Sequence, residues 1–222
     1  MNIEHARFNM IEQQIRPWDV LDGSVLELLA IVRREDFLPP EHRALAFVDT
    51  EVPLPSSTGG GACMLAPKVE ARLLQELAVH KHERVLEVGA GSGHMAALLA
   101  HKAQQVTTLE IDPALARFAA ANLKRAGVTN AEVIEADGAG GLPGEAPFDA
   151  IVLSGSVAEV PATLLAQLKP GGRLVAIVGH EPVMRALLLT RAGSGPGFER
   201  RVLFDTVAKR LSGFAEPTRF RF

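Results

Sequence analysis

The stretch Val85-Leu86-Glu87-Val88-Gly89-Ala90-Gly91-Ser92-Gly93 decides how this chain is read. A short apolar-rich run suited to a buried strand meets three closely spaced glycines, and the helical stretch Met95 to Lys102 follows. Glycine tolerates the conformations of a tight turn and lets a ligand approach the backbone. A helix start adds unpaired N–H donors and the positive end of a dipole. Strand, glycine turn and helix in this order predict a polar ligand at the carboxyl end of a sheet strand.

Outward from that loop the pattern alternates. Strands are expected at 84–88, 105–109, 131–135, 148–153 and 173–178. A helix begins near Pro67 with Val69, Leu73, Leu74 and Leu77 on one stripe, and another is expected over 113–125. Alternation of this kind predicts an α/β fold with a mostly parallel, Rossmann-like sheet. After Gly179 the rhythm changes. Met184 to Arg191 and Arg200 to Val207 predict two strands joined by the turn Ala192 to Gly197, paired antiparallel at one edge.

Upstream, residues 1–48 are rich in helix formers, and Ser24 precedes Val25, Leu28, Leu29 and Val32 at helical spacing. Pro39-Pro40 interrupts this region, and PLPSSTGGGAC at 53–63 predicts a flexible loop. The expected organisation is a helical N-terminal region with a substrate-side loop over 1–66 and a ligand-binding domain over 67–222, packed as one unit.

With 222 residues, 47% of them apolar, the chain can bury a sizeable core. A net charge of -3 and a pI near 6.2 argue against the nucleic-acid backbone as main partner. Cys63 is the only cysteine, which excludes an internal disulfide and suits a reducing compartment. The start Met-Asn-Ile-Glu-His lacks a secretory pattern, and no apolar run approaches the roughly 20 residues that span a bilayer. A cytoplasmic protein without a membrane partner is expected.

Residue chemistry narrows the ligand. A dinucleotide fingerprint needs G-x-G-x-x-G or a final alanine, but position 94 is histidine and the third glycine falls one place early. Glu87 would repel a pyrophosphate and would suit the ammonium of a methionine moiety. Glu110 ends the second strand, where a carboxylate can accept from ribose hydroxyls. Asp137-Gly138 follows the third, where an acceptor can read an adenine amino group. Taken singly, Glu110 or Asp137 is more often a turn or cap residue; their order and spacing predict S-adenosylmethionine, with nucleotide or nicotinamide binding as the alternative. All three acids are expected to converge at one sheet edge.

Several segments together resemble the protein-L-isoaspartate O-methyltransferase family over nearly the whole chain. They are Met10-Ile11-Glu12-Gln13-Gln14-Ile15-Arg16, Val32-Arg33-Arg34-Glu35-Asp36-Phe37-Leu38-Pro39, Ala46-Phe47-Val48-Asp49-Thr50, the glycine loop, Pro147-Phe148-Asp149-Ala150-Ile151 and Leu168-Lys169-Pro170-Gly171-Gly172. The resemblance implies methyl transfer from S-adenosylmethionine to the α-carboxylate of isoaspartyl residues in aged proteins, with a protein or peptide partner. It also implies that Glu87, Gly89, Gly91, Ser92, Gly93, Glu110, Ile111, Asp137 and Gly138 carry the cofactor.

The substrate loop departs from the family pattern. Where that pattern reads Gly-Gln-Thr-Ile-Ser-x-Pro, this chain has Gly61-Ala62-Cys63-Met64-Leu65-Ala66-Pro67, with leucine at the serine position. Leu65 can donate no hydrogen bond. Cys63, Met64 and Leu65 are the expected substrate-loop residues, and no catalytic side chain is assigned. Transfer to a carboxylate needs no base, because the acceptor is already ionised at neutral pH. Two alternatives stand beside isoaspartyl transfer: a methyltransferase with another acceptor, such as a small apolar molecule suited to Met64 and Leu65, and a cofactor-binding protein without catalysis.

Residues 56–66 are a candidate lid. Cys63 is expected to be a small packed hydrophobe rather than a nucleophile. His94 is expected either to touch the cofactor or to hold a solvated ring at a helix start. His80 and His82, two apart on a helix, would point apart, and no metal is expected. The tail Phe214 to Phe222 is left without a role.

Overall fold

The alternating pattern folds as expected in a computed structural model that describes residues 2–58, 61–193, 195 and 197–216. Parts of the expected 192–197 turn, the glycine run at Gly59-Gly60 and most of the tail (217–222) lie outside the described residues. In the N-terminal region, helix α1 (Ile3–Met10) leads through a π turn at Ile11–Ile15 and a 3-10 turn at Arg16–Trp18 to helix α2 (Gly23–Ile31). The second helix starts one residue earlier than Ser24 suggested. The Asp22 carboxylate caps it by accepting from the Ser24 N–H at 2.8 Å.

Two short strands, β1 (Val52–Pro53) and β2 (Cys63–Met64), pair antiparallel across the loop that the sequence marks as irregular. The ladder ties the two ends of the expected 53–63 loop together, and Gly59-Gly60 in its middle lie outside the described residues. Helix α3 (Pro67–Leu77) then buries Val69, Leu73, Leu74 and Leu77 along the stripe read from their spacing. It ends at Ala78 in the left-handed conformation, so His80 and His82 are not helical; their rings stack parallel at 6.0 Å.

Strands β3 (Arg84–Val88), β4 (Gln105–Glu110), β5 (Ala131–Glu135), β6 (Phe148–Val157) and β7 (Leu168–His180) run parallel. Helices α4 (His94–Lys102), α5 (Pro113–Arg125) and α6 (Ala162–Ala166) connect them. Strands β8 (Val183–Arg191) and β9 (Phe198–Thr206) complete the sheet antiparallel. Its order is β5-β4-β3-β6-β7-β8-β9. Strands β6 and β7 are longer than the sequence implied. Register shifts between Phe148 and Ala150 and between Val152 and Ser156 let them pair through Pro170-Gly171-Gly172 and Ser154-Gly155-Ser156.

The chain leaves β3 toward β4 and β5, then returns to place β6 on the other side of β3. The carboxyl ends of β3 and β6 thus form the switch point where α/β sheets bind ligands. One apolar cluster extends from Met10 through α3 and α4 to Ala208, so the N-terminal residues and the sheet share a core. A second cluster lies on the other face, around Leu86, Phe148, Leu153 and Leu174.

Candidate active site

A cleft partly open to solvent crosses the switch point. Its floor is the sheet edge, at Val88, Gly89 and Gly91 after β3, Glu110 and Ile111 after β4, and Gly138 after β5. Gly89 has φ +92, and a Cβ there would meet the Leu211 side chain at 2.6 Å, so only glycine keeps this turn open. A Cβ on Gly138 would sit 2.3 Å from Val88 Cγ1, which fixes glycine where the third strand ends.

Glu110 braces the glycine loop. One carboxylate oxygen accepts from the Gly91 N–H at 2.8 Å and the other from the Asp112 N–H at 3.1 Å. Ile111, 38% exposed, offers an apolar face at the same wall.

Glu87 is placed differently from the expectation. Its side chain is fully buried beneath the cleft and does not line it; Oε1 accepts from the Ser154 hydroxyl at 2.6 Å, and Oε2 has no protein partner. Burial pushes its carboxyl up to about 8, against the opposing pull of the Ser154 hydrogen bond. Ser154 itself lines the cleft, so Glu87 reaches it through a hydroxyl.

Convergence of the three acids is therefore incomplete. Glu110 faces the cleft, Glu87 lies under it, and the Asp137 side chain caps the 3-10 turn Gly138–Gly140 by accepting from the Ala139 N–H at 3.0 Å. Ser92 and Gly93 turn toward α5: the Ser92 carbonyl accepts from Asn122 Nδ2 at 2.8 Å, and a Cβ on Gly93 would press on Ala119. They shape the loop from behind.

The opposite wall comes from the segment expected to be the substrate loop. Ala62, Cys63 and Leu65 line the cleft, while Met64, expected beside them, turns into the core at 4% exposure. Strand alternation at β2 sends successive side chains to opposite faces. Cys63 is half-buried at the cleft rather than packed away, and burial, aided by the nearby Glu51, pushes its thiol up to about 12. It is a neutral thiol, unsuited to nucleophilic attack.

The loop above is pinned. The Ser57 and Ser56 hydroxyls donate to Asp112 at 2.5 and 2.7 Å, and the Ser57 N–H adds a third bond at 2.7 Å. Asp112 also caps α5 through the Ala114 N–H. Burial opposes its ionisation, but the Ser57 and Ser56 hydroxyls and these amides outweigh burial and hold the carboxyl well below its usual range.

His94 meets neither expectation. Its ring is 1% exposed and points away from the cleft, with Nδ1 2.8 Å from Glu70 Oε2 and its edge against Phe37. Arg34 donates to the same Glu70 oxygen at 2.5 Å and to the Leu65 carbonyl at 2.6 Å. This buried cluster fixes the backbone at Leu65.

Sequence reasoning missed the C-terminal wall. The residues after β9 return to the sheet, with Ser156 donating to the Lys209 carbonyl at 2.7 Å and Leu211 donating to the Ser156 carbonyl at 2.9 Å. Lys209, Leu211 and Ser212 thereby line the cleft, with Leu211 against both Gly89 and Gly155. No periodic signal marks such a short extension. The two small residues Gly155 and Ser156 inside an otherwise apolar strand were the available hint of a close approach.

Among the described residues, no group of three His, Cys, Asp or Glu side chains is placed to hold a metal, and no helix is long and apolar enough to cross a membrane.

Comparison with known proteins shows the family. The model of the family described as protein-L-isoaspartate(D-aspartate) O-methyltransferase matches residues 6–207. A protein-L-isoaspartate O-methyltransferase from Methanoculleus marisnigri is 42% identical over 173 residues, 78% of this chain and 77% of the relative. One from Anaeromyxobacter sp. is 38% identical over 211 residues, 95% of this chain and 85% of the relative. A Plasmodium falciparum structure described as a protein-L-isoaspartate O-methyltransferase in complex with S-adenosyl-L-homocysteine shares the fold at TM-score 0.77 and 22% identity, covering 95% of this chain and 99% of its own. A second solved structure, a protein-L-isoaspartate O-methyltransferase, shares it at TM-score 0.78 and 23% identity; the alignment covers 93% of this chain and 66% of the other. The chain belongs to the protein-L-isoaspartate(D-aspartate) O-methyltransferase family of S-adenosylmethionine-dependent enzymes.

Proposed function

We propose that this chain methylates the free α-carboxylate of L-isoaspartyl residues in protein or peptide substrates, using S-adenosylmethionine bound in the switch-point cleft. The observation that carries the reading is the cleft itself: a glycine turn that Glu110 braces and Gly89 keeps open, facing the substrate loop, in a chain of this family. Glu110 and the Ser154 hydroxyl at the cleft floor fit a ligand that carries hydroxyl and ammonium groups.

When bound, the cofactor supplies a methyl group activated on sulfonium sulfur. Gly89 and Gly91 give close backbone approach, and Glu110 offers carboxylate oxygens to vicinal hydroxyls. Ile111 covers an apolar face, and Ser154, oriented by Glu87, presents a hydroxyl at the floor. Asp137 supports this wall from the turn that places Gly138. Ser56 and Ser57, held on Asp112, keep the loop over the cleft and exclude water. With the cofactor held there, an acceptor carboxylate between the glycine turn and Ala62, Cys63 and Leu65 would take the methyl group, the sulfur keeping the electron pair of the broken bond. No proton moves, so leucine at position 65 removes an orienting hydroxyl without removing a base. A reducing cytoplasm suits the single free thiol of Cys63.

The test is methyl transfer from labelled S-adenosylmethionine to an isoaspartyl peptide, with the normal aspartyl peptide as control. Transfer to the isoaspartyl form alone supports the reading. Cofactor binding without transfer, together with transfer to a small apolar acceptor, would favour a changed specificity set by Ala62 and Leu65.

A further inference from the structure

Resting on that reading, we propose that Lys209 binds the acceptor carboxylate, in the role for which the Leu65 side chain offers no donor. A carboxylate entering the cleft needs a counter-charge or donors to replace its hydration. The substrate loop supplies no charge: Ala62 and Leu65 are apolar, and the Cys63 thiol stays neutral. Most other polar groups at the cleft already have partners. Ser56 donates to Asp112, Ser154 donates to Glu87, and Glu110 and Asp112 are themselves anionic.

Among the described residues two cations reach the cleft, both from the C-terminal wall, and the extended backbone separates them. The Arg210 guanidinium donates to the Gly179 carbonyl at 2.9 Å and pairs with Glu216 at 2.6 Å. Lys209 is exposed, its Nζ lies 4.0 Å from the position of a Cβ on Gly61, and its ammonium has no ion-pair partner among the described residues. Its backbone is fixed by Ser156 and by Glu51, whose carboxylate accepts from the Lys209 N–H at 3.2 Å. The stem is therefore anchored while the charge stays free beside the substrate loop. Leu211, two residues on, contacts Gly89, so one short strand-like segment spans from the cofactor floor to the proposed acceptor end.

The experiment measures binding of an isoaspartyl peptide to the S-adenosylhomocysteine-loaded protein by calorimetry, for the wild type, Lys209→Met and Lys209→Arg. The same peptide with its isoaspartyl α-carboxylate replaced by a carboxamide is the second ligand. S-adenosylhomocysteine affinity and the KM and kcat of transfer are recorded for each protein. Lys209→Met is expected to weaken peptide binding by about tenfold or more and to raise KM far more than it lowers kcat, whereas Lys209→Arg retains most of the affinity. The carboxamide peptide should bind weakly to all three. Equal peptide binding by wild type and Lys209→Met overturns the proposal, as does absence of peptide binding to the wild type. A loss of S-adenosylhomocysteine affinity in Lys209→Met overturns it too, by assigning the ammonium to the cofactor. Failure of the functional reading is separate: it is wild-type protein that binds the cofactor and transfers nothing to the peptide.

Discussion

Nδ1 of His94 lies 2.8 Å from Oε2 of Glu70, the same oxygen that accepts from Arg34 at 2.5 Å. The first residue of α4, a residue of α3 and a residue of the N-terminal region thus meet at one buried carboxylate. Burial alone would raise the Glu70 carboxyl, but the charges of His94 and Arg34 override it and hold it below its ordinary range. Removing the carboxylate strands Arg34 in the core. Glu70→Ala is expected to cost about 3–5 kcal/mol in urea unfolding, the penalty for breaking a buried ion pair by removing one partner. The lowered carboxyl stabilises the fold above its unfolded value, and that contribution disappears as pH falls through the folded one.

Glu87 has the opposite sign. Its folded carboxyl, raised to about 8, holds a proton that the unfolded chain releases near ordinary carboxylate values. Stability from this group is therefore expected to fall as pH rises from about 5 to 8, by about 1.4 kcal/mol for each unit of displacement at most. Glu87→Gln should flatten that slope in urea midpoints measured at both pH values. A slope unchanged by the substitution would mean that Glu87 stays ionised in the folded protein.

Asp112 joins the lid to a helix. Asp112→Ala removes the anchor for Ser56 and Ser57 together with the cap of α5. It is expected to cost about 1 kcal/mol of stability through the lost cap. Limited proteolysis should also cut within residues 55–62 faster than in the wild type. Because the ionised Asp112 carboxylate is the acceptor, the same opening is expected as pH falls through its lowered folded value.

Glu110→Ala is expected to weaken S-adenosylmethionine binding by about 1–3 kcal/mol in titration calorimetry, since the Gly91 and Asp112 amides and the ligand hydroxyls all lose their acceptor. Unchanged affinity would remove Glu110 from the cofactor site.

The central sheet was legible because its strands obey a local rule: short apolar runs punctuated by glycine and proline, each readable in isolation. The cleft floor was legible for the same reason at Gly89, Gly91, Glu110, Ile111 and Gly138, all of which line it. What escaped depends on distant partners. Whether Glu87 faces the ligand or lies under it turns on Ser154, 67 residues away. Whether His94 is solvated turns on Glu70 in another helix. The Lys209–Ser212 wall has neither periodicity nor motif, since its placement comes from backbone bonds to Ser156.

That wall ties binding to synthesis. Cleft residues Val88 to Ser154 leave the ribosome long before Lys209 and Leu211, so a nascent chain holds the glycine turn with one side of its pocket missing. The cleft is accordingly complete only once the residues after β9 have been made. A fusion or cleavage just after position 206 would act as an active-site lesion although it touches no residue of the sheet.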